Sequence, residues 1–220
     1  MKPRVQTEKE ELDTLVCFAL NEEAAPFRKM AEEMPNVSIL ITGVGRKNAE
    51  ASLRRFLANN LPKLVLTCGF AGGLNPELNV GDVVFMTGYS ALEERLANAD
   101  AKLASFFTAP RIATTAAEKN KLRAETGADV VEMESGTILA VCRESRIPCA
   151  MVRAISDTAR EDLPLDFNAL SKPDQSLNYG KLFLTVAKSP KKIGTLMQLK
   201  KKTQFAAEQL AVVLARFIAD

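Results

Sequence analysis

The sequence predicts an α/β fold in which a largely parallel sheet is covered by helices. Short runs of branched and aromatic residues alternate with longer stretches of helical spacing, which is the pattern of a layered α/β protein. The chain has 220 residues, of which 47% are hydrophobic and 25% charged, as in one globular domain large enough to bury a core. We therefore expect a single domain over residues 1–220 that ends in a Lys-rich helical segment, 181–220.

The first half of the chain predicts four strands with helices between them. Short apolar runs place the strands at residues 15–20, 37–42, 63–68 and 82–86. A helix is expected from Glu23 onward, after a polar pair, and another over 49–57, where the apolar spacing is helical. Two glycine-rich segments, 43–48 and 69–73, follow the second and third strands, and we expect both to be loops.

The second half continues the alternation after a stretch that is hard to interpret. Residues 88–110 are expected to form an irregular connection with one short helix over 91–104. A helix over 115–126, a strand over 129–132, a helix over 133–145 and a strand over 149–155 follow, and the apolar stripe of the 133–145 helix predicts packing on the sheet. A long amphipathic helix from Ser189, broken near Gly194, closes the chain.

The composition excludes several classes of chemistry. The chain has no histidine, which rules out a Ser-His-Asp triad and most zinc sites, so acid–base work falls to carboxylates, Lys, Tyr or Cys. Its 4 cysteines lie in apolar surroundings without ligand-like spacing, which predicts reduced buried thiols and a cytoplasmic protein. A net charge of +2 gives no sign of a nucleic-acid partner. The mostly charged amino terminus lacks the apolar core of a signal peptide and no apolar run is long enough to span a bilayer, so we expect a soluble or peripheral protein.

Candidate site residues follow the predicted strands, because open α/β sheets bind ligands beyond the carboxyl ends of their strands. Carboxylates recur at three of these places: Glu22 and Glu23, then Glu132 and Glu134, then Asp157 after Ser156. Each has a structural alternative, since acidic residues also cap helices and favour their first turns. The residues alone leave both interpretations open.

The glycine-rich segments bear on the kind of ligand. Segment 69–73, which includes Gly69 and Phe70, lets backbone amides approach a ligand closely. Segment 43–48 begins like a dinucleotide fingerprint, but Asn48 stands where the third glycine belongs, and no Walker A sequence is present. These observations argue against a dinucleotide-dependent oxidoreductase.

Four motifs in order resemble the nucleoside phosphorylase and nucleosidase superfamily. They are Gly69-Phe-Ala-Gly-Gly-Leu, Val80-Gly-Asp-Val-Val, Val131-Glu-Met-Glu-Ser and Val152-Arg-Ala-Ile-Ser-Asp, and the likeness spans residues 15–167. Their spacing, and the stretch Ala19-Leu-Asn-Glu-Glu-Ala, resemble the methylthioadenosine/S-adenosylhomocysteine nucleosidase branch. The short chain, the Lys119 region and the Lys-rich tail resemble the hopanoid-associated phosphorylase group, which implies adenosylhopane as a substrate.

The resemblance implies a single-domain three-layer nucleoside phosphorylase-like fold, with a central mixed sheet flanked by helices. It also implies cleavage of the bond between N9 of a purine, in this branch adenine, and C1′ of a ribose. The transition state resembles an oxocarbenium ion, and the base leaves as an anion unless an acid protonates it. By this resemblance Asp157 is the acid that meets N7, Ser156 orients Asp157, and Glu23 is the base that activates water.

The resemblance assigns the remaining site residues to substrate binding. Glu134 takes the ribose 2′- and 3′-hydroxyls, Met133 lies under the sugar, and Phe167 packs on the base. Glu132 and the Gly69–Phe70 stretch also belong to the substrate site. Arg153 lies near the nucleophile or serves as the structural partner of Glu132 or Glu23, and both interpretations stay open.

Two departures from the family pattern concern the nucleophile. Phe70 stands where relatives often carry a serine, and Thr67 stands where hexameric phosphorylases have a phosphate-binding arginine. Arg46 is a candidate replacement charge, whereas Glu23 suits water and repels phosphate. We therefore expect hydrolysis without a cofactor or a metal. The alternatives are phosphorolysis, with phosphate as co-substrate, and an inactive nucleoside-binding protein.

Two expectations concern partners other than the nucleoside. The resemblance implies a homo-oligomer, most simply a dimer. Residues 175–207 hold seven lysines and no acidic residue, so a peripheral contact of this helix with an anionic membrane is one interpretation, and a solvated face is the other. The sequence leaves open which group the 5′ carbon of the ribose carries.

Overall fold

One mixed sheet of eight strands organises the computed structural model of this chain, which describes residues 10–170 and 192–219. The strands are β1 (Glu10–Phe18), β2 (Val37–Ile41), β3 (Asn60–Gly73), β4 (Val83–Thr87), β5 (Lys102–Leu103), β6 (Phe106–Thr108), β7 (Val130–Glu132) and β8 (Cys149–Asp157). The helices are α1 (Asn21–Ala31), α2 (Arg46–Asn59), α3 (Ser90–Asn98), α4 (Ala116–Thr126), α5 (Ser135–Glu144), α6 (Phe167–Leu170) and α7 (Lys192–Ala219).

The strand order confirms the expected central mixed sheet. Neighbouring strands follow the order β2-β1-β3-β8-β4-β5, and β7 pairs with both β3 and β6. Strands β2, β1, β3 and β8 run parallel to one another, whereas β4 is antiparallel to β8 and β7 is antiparallel to β3. The carboxyl ends of β1, β3 and β8 therefore meet at one edge of the sheet, where a ligand site is expected.

Helices cover both faces of the sheet, and this explains the continuous apolar runs of its strands. Successive side chains of β1 point to opposite faces, so Leu15 and Cys17 pack with α2 and α5, whereas Val16 and Phe18 pack with α1 and α7. All four side chains are buried. The predicted three-layer arrangement is confirmed.

The structure corrects the expected glycine loop and the ends of two elements at the same sheet edge. Residues 69–73 continue β3, because Gly72 and Gly73 pair with β7 while Gly69 and Phe70 pair with β8. Ser156 and Asp157 lie within β8 rather than after it. Helix α5 begins at Ser135, two residues later than expected, so Met133 and Glu134 stand in the turn between β7 and α5.

The expectation of an irregular connection over 88–110 was wrong. This stretch contains α3, which ends at Asn98, and the short strands β5 and β6. Strand β5 pairs with β4, and β6 pairs with β7. The predicted helix over 91–104 therefore ends six residues earlier than expected.

The last described helix, α7, runs without interruption through Gly194, so the expected break is absent. Its carboxyl-terminal half packs on the sheet through buried Leu210, Val213, Leu214 and Phe217, whereas Phe205 is 47% exposed. None of the described helices is long and apolar enough to cross a membrane. Residues 181–191 of the Lys-rich segment lie outside the described residues.

Candidate active site

A cavity of about 360 Å³ lies at the carboxyl ends of the central strands. The first turn of α1, the ends of β3, β7 and β8, and two residues of α7 form its wall. Its lining contains most of the candidate residues from the sequence, namely Glu23, Phe70, Glu132, Met133, Glu134, Ser156, Asp157 and Phe167. Gly69 and Arg153 do not line it; they lie behind the residues that do.

Glu23 lies in the first turn of α1 with its carboxylate buried against β3. Its Oε2 accepts hydrogen bonds from the backbone N–H groups of Ala19 and Leu20, at 3.1 and 3.0 Å, and its Oε1 accepts one from Phe70 at 3.0 Å. Burial raises the pKa of Glu23 to about 7, although the Arg153 charge and these hydrogen bonds lower it. A carboxyl with this pKa is matched to accepting a proton near neutral pH.

Gly69 makes the approach of Glu23 to β3 possible. Its φ of +147° lies in a region that other residues rarely adopt, and a Cβ there would stand 2.8 Å from Oε1 of Glu23. Any side chain at this position would displace the carboxylate from the Phe70 N–H. The glycine of the motif therefore positions the Glu23 side chain.

Asp157, the last residue of β8, is buried beneath the cavity. The Ser156 hydroxyl donates to its Oδ1 at 2.6 Å, and Lys119 Nζ lies 2.5 Å from its Oδ2. The position of Gly72 gives this carboxyl its room, because a Cβ there would lie 3.3 Å from Oδ2. Ser156 is thus a hydrogen-bond partner of the carboxyl that it was expected to orient.

Arg153 and Glu132 form a buried pair beneath the cavity, with 3.2 Å between Arg153 Nη2 and Glu132 Oε2. The guanidinium also donates to the backbone oxygen of Thr67 and to the hydroxyls of Thr67 and Ser135. Although burial raises the pKa of Glu132, the Arg153 charge and hydrogen bonds outweigh this effect and lower it. This geometry favours the structural interpretation of Arg153 as the partner of Glu132.

Glu132 also fixes the turn that carries the next two site residues. Its Oε2 accepts hydrogen bonds from the N–H groups of Glu134 and Ser135, at 2.9 and 2.7 Å, while the Thr108 hydroxyl donates to its Oε1. Glu132 thus accepts hydrogen bonds from backbone N–H groups at the start of α5 that have no partner within the helix. This holds Met133 and Glu134 at the cavity wall.

Glu134 faces the cavity from this turn. Its Oε1 accepts a hydrogen bond from the Gly45 N–H at 2.9 Å, and burial raises its pKa, although the Arg153 charge lowers it. Met133 and Phe167 add apolar wall to the same cavity. Gly45 belongs to the second glycine-rich segment, so that segment contributes to the site through its backbone.

The charges that line the cavity are mostly negative. Five carboxylates face it, and among the described residues Arg111 is the one basic residue in its wall, paired with Glu118 outside the cavity. Arg46 instead lines a separate cavity between α2 and α5, where it donates to the Thr108 carbonyl. Thr67 already accepts hydrogen bonds from Arg153 through its backbone oxygen and its hydroxyl.

Sequence reasoning missed several residues of this site, of which four are polar or lie far along the chain from the other site residues. Arg111 follows a stretch that was expected to be irregular, and Leu199 and Thr203 reach the cavity from α7, far along the chain. Lys119 was noted only as part of a family likeness, yet it is fully buried against Asp157. A usable signal existed, because Lys119 shares one helical face with Ala116 and Leu122.

Known proteins resemble this chain over most of its length. The family model of the Phosphorylase superfamily matches residues 27–107 and 89–186. The 5′-methylthioadenosine/S-adenosylhomocysteine nucleosidase of Marinomonas sp. (strain MWYL1) is 29% identical over 175 residues, which are 64% of this chain and 76% of that protein. The aminodeoxyfutalosine nucleosidase of Campylobacter jejuni is 28% identical over 158 residues, 57% of this chain and 69% of that protein.

A solved structure shows the same fold. The futalosine hydrolase of Helicobacter pylori superposes with a TM-score of 0.71 at 16% sequence identity, covering 94% of this chain and 97% of its own. The fold around the cavity is thus shared with an enzyme of known structure.

Proposed function

The chain belongs to the phosphorylase superfamily, and from its site we propose that it hydrolyses the N-glycosidic bond of a purine nucleoside and releases adenine. Relatives at 29% and 28% identity are named as nucleosidases that act on adenine-containing nucleosides. The observation that carries the proposal is the meeting of Glu23, Glu134 and Asp157 around one cavity of about 360 Å³. A nucleoside-binding protein without activity would not need both an acid and a base there.

Each carboxylate has a task in this reaction. Asp157 gives a proton to the base as the C–N bond breaks, so that the purine leaves as a neutral molecule. Glu23 takes a proton from the attacking water, and its pKa of about 7 suits that task. Glu134, whose Oε1 already accepts the Gly45 N–H, accepts hydrogen bonds from the ribose hydroxyls.

Three features favour water over phosphate as the nucleophile. Glu23 lies beside the position of the nucleophile, and the other cavity carboxylates add negative charge that repels an anion. Thr67 stands where phosphorylases carry an arginine, and Arg153 already binds it. Arg46 lines another cavity, so its charge is not in the wall of this one. Phosphorolysis is therefore the weaker alternative, and no cofactor is needed.

The proposed activity is tested by incubating the purified protein with a panel of nucleosides. Adenosine, 5′-methylthioadenosine, S-adenosylhomocysteine and an adenosylhopane-type nucleoside differ only in the 5′ group, which the family resemblance leaves open. We expect that at least one of them releases adenine, which is detected by chromatography. Release of no base from any member would contradict the proposal.

We expect the ribose hydroxyls to be recognised through Glu134. The Glu134→Gln variant should lose most activity, and 2′-deoxy nucleosides should be poor substrates of the unaltered protein. A buried group made to bond a hydroxyl is left unpaired by the deoxy analogue, and such mismatches cost several kcal/mol, on the order of 10⁴-fold in rate. Comparison of kcat/KM for adenosine and 2′-deoxyadenosine checks this. Equal values would remove Glu134 from ribose binding.

We also propose that the Lys-rich segment contacts an anionic membrane surface. Lys200 and Lys201 are exposed on α7, and Met197 and Phe205 on the same helix are 59% and 47% exposed. Basic side chains beside exposed apolar ones are typical of helices that lie on a membrane. The protein should sediment with vesicles that contain phosphatidylglycerol at low salt and detach at high salt. A protein that stays in the supernatant at low salt has only a solvated basic face.

Two further parts of the proposal follow from the sequence rather than from the site. All four cysteines are free and buried, as expected for a cytoplasmic protein, and detection in a cell fraction would test that location. The family resemblance implies a dimer. Light scattering at micromolar concentration would contradict the dimer if it gave the mass of a single chain.

A further inference from the structure

Lys119 is a buried cation in contact with Asp157. Its side chain is 0% exposed, and it reaches from α4 to the loop that follows β8. Nζ lies 2.8 Å from the carbonyl oxygens of Thr158 and Glu161, and 2.5 Å from Asp157 Oδ2. Three oxygens therefore surround a group that has three N–H bonds when protonated.

The start of α4 fixes where Lys119 points. The Thr115 side chain accepts a hydrogen bond from the Glu118 N–H, which caps the helix one turn before Lys119. On the other side, Lys202 of α7 pairs with the Glu161 side chain at 2.7 Å and braces the loop that supplies two of the three oxygens. Lys119 is thus held between two anchored elements.

The two oxygens of the Asp157 carboxyl have different surroundings. Oδ1 accepts the Ser156 hydroxyl, whereas Oδ2 is buried and has no aligned hydrogen bond from any described residue, so the close Lys119 charge is its one partner there. A lysine that served only to tie α4 to the loop would need the two carbonyl oxygens and no carboxylate. The contact with Oδ2 connects Lys119 to the group that faces the leaving base.

We propose that Lys119 is the source of the proton that Asp157 passes to the leaving purine, so that the acid of this site is a Lys119–Asp157 pair. This inference rests on the proposed hydrolysis of a purine nucleoside. Lys119 acts through Asp157 and is a positioning residue that holds the proton.

The proposed step conserves atoms and charge. The pair begins as an ammonium and a carboxylate. As the bond between C1′ and N9 breaks, its electron pair goes to the base, an N–H bond of Lys119 breaks, an O–H bond forms on Asp157, and the carboxyl delivers that proton to the purine nitrogen. The pair ends as a neutral amine and a carboxylate, and a proton from solvent restores the ammonium.

The test compares substrates that need a proton with substrates that do not. Adenosine and 5′-methylthioadenosine need one, whereas their N7-methylated forms carry a fixed positive charge, so that their bases leave without protonation. We expect Lys119→Met to lower kcat on the unmethylated nucleosides by at least about 100-fold, as for loss of a general acid. On the methylated forms its kcat should stay within about threefold of that of the unaltered protein.

The matched control is Lys121→Met, which removes an exposed lysine from the same helix, where it pairs with Glu125 and not with Asp157. It should leave both classes of substrate unaffected. The inference is overturned if Lys119→Met is normal on unmethylated nucleosides, or if it is equally slow on both classes, because a purely structural role lowers both. Should the unaltered protein cleave neither class, the proposed hydrolysis itself fails, which is a different outcome.

Lys119→Arg decides the matter if the methionine variant does not fold. Arginine keeps the positive charge but does not release a proton in proteins. It should therefore be slow on unmethylated nucleosides and normal on methylated ones. Normal rates on both classes, or equally slow rates on both, would overturn the proposal. The double variant Lys119→Met/Asp157→Asn should be no slower than Asp157→Asn, because the two residues act as one unit.

Discussion

Replacement of Asp157 by asparagine is expected to lower kcat on adenine nucleosides by about 10²–10⁴-fold while changing KM little. The amide keeps the size of the carboxyl and can still accept the Ser156 hydroxyl, but it has no proton to give. The lost interaction belongs to the transition state, in which charge develops on the base, so the loss falls on kcat. Steady-state kinetics with adenine release as the readout measures both constants.

The control for this variant is Asp100→Asn. Asp100 is exposed, does not line the cavity, and has a φ of +78°, which asparagine adopts readily. It should behave like the unaltered protein. If Asp157→Asn were as active as this control, or if its defect lay entirely in KM, Asp157 would not be the acid.

Replacement of Glu23 by glutamine is expected to have the second large effect, a loss of kcat of about 10²–10⁴-fold, because an amide cannot take the proton of the attacking water. Glutamine also places an amide where the carboxylate accepts three backbone N–H groups, so thermal melting must show that the variant is folded. Glu33→Gln, at an exposed position in the turn that follows the same helix, is the matched control. A folded Glu23→Gln enzyme with normal kcat would contradict the assignment.

The pH profile of the unaltered enzyme also tests whether Glu23 is the base. A base works in its ionised form, and burial raises the pKa of Glu23 from 4.5 to about 7. Activity should therefore rise with pH through about pH 7, be half-maximal near that value and level off above it. A profile that is already flat above pH 5.5 would mean that the group in use has an ordinary carboxyl pKa.

The sequence alone predicted those site residues that are marked by their immediate neighbours in the chain. Glu23, Glu134 and Asp157 each stand at or just past an apolar strand, and the family motifs repeat that order, so they could be predicted. The buried strands of the parallel part of the sheet were equally clear. Their apolar runs are continuous because helices cover both faces.

The predictions that failed concern segments whose structure depends on partners far away in the chain. Residues 69–73 look like a loop because of their three glycines, but β7 and β8 pair with them from more than 50 residues further on. Strands β5 and β6 have two and three residues and exist only through their pairing with β4 and β7. No local pattern specifies such strands.

The two buried cations of the site illustrate the same limit for function. Arg153 had two equal interpretations from the sequence, and only its contacts with Thr67, Glu132 and Ser135 favour the structural one. Lys119 sits in a polar helix where a lysine is normally solvated, and its contact with Asp157 depends on how α4 packs against the end of β8. Charged residues at inward helical positions are the signal to look for in such sequences.

The most direct measurement of the central claim is the identity of the sugar product. The protein is incubated with the adenine nucleoside it cleaves best, in the absence of phosphate and in its presence at millimolar concentration, and the products are separated. Hydrolysis at a carboxylate-lined site predicts free ribose, or its 5′-substituted form, at a rate that phosphate does not change. A sugar 1-phosphate, or a reaction that needs phosphate, would contradict the account.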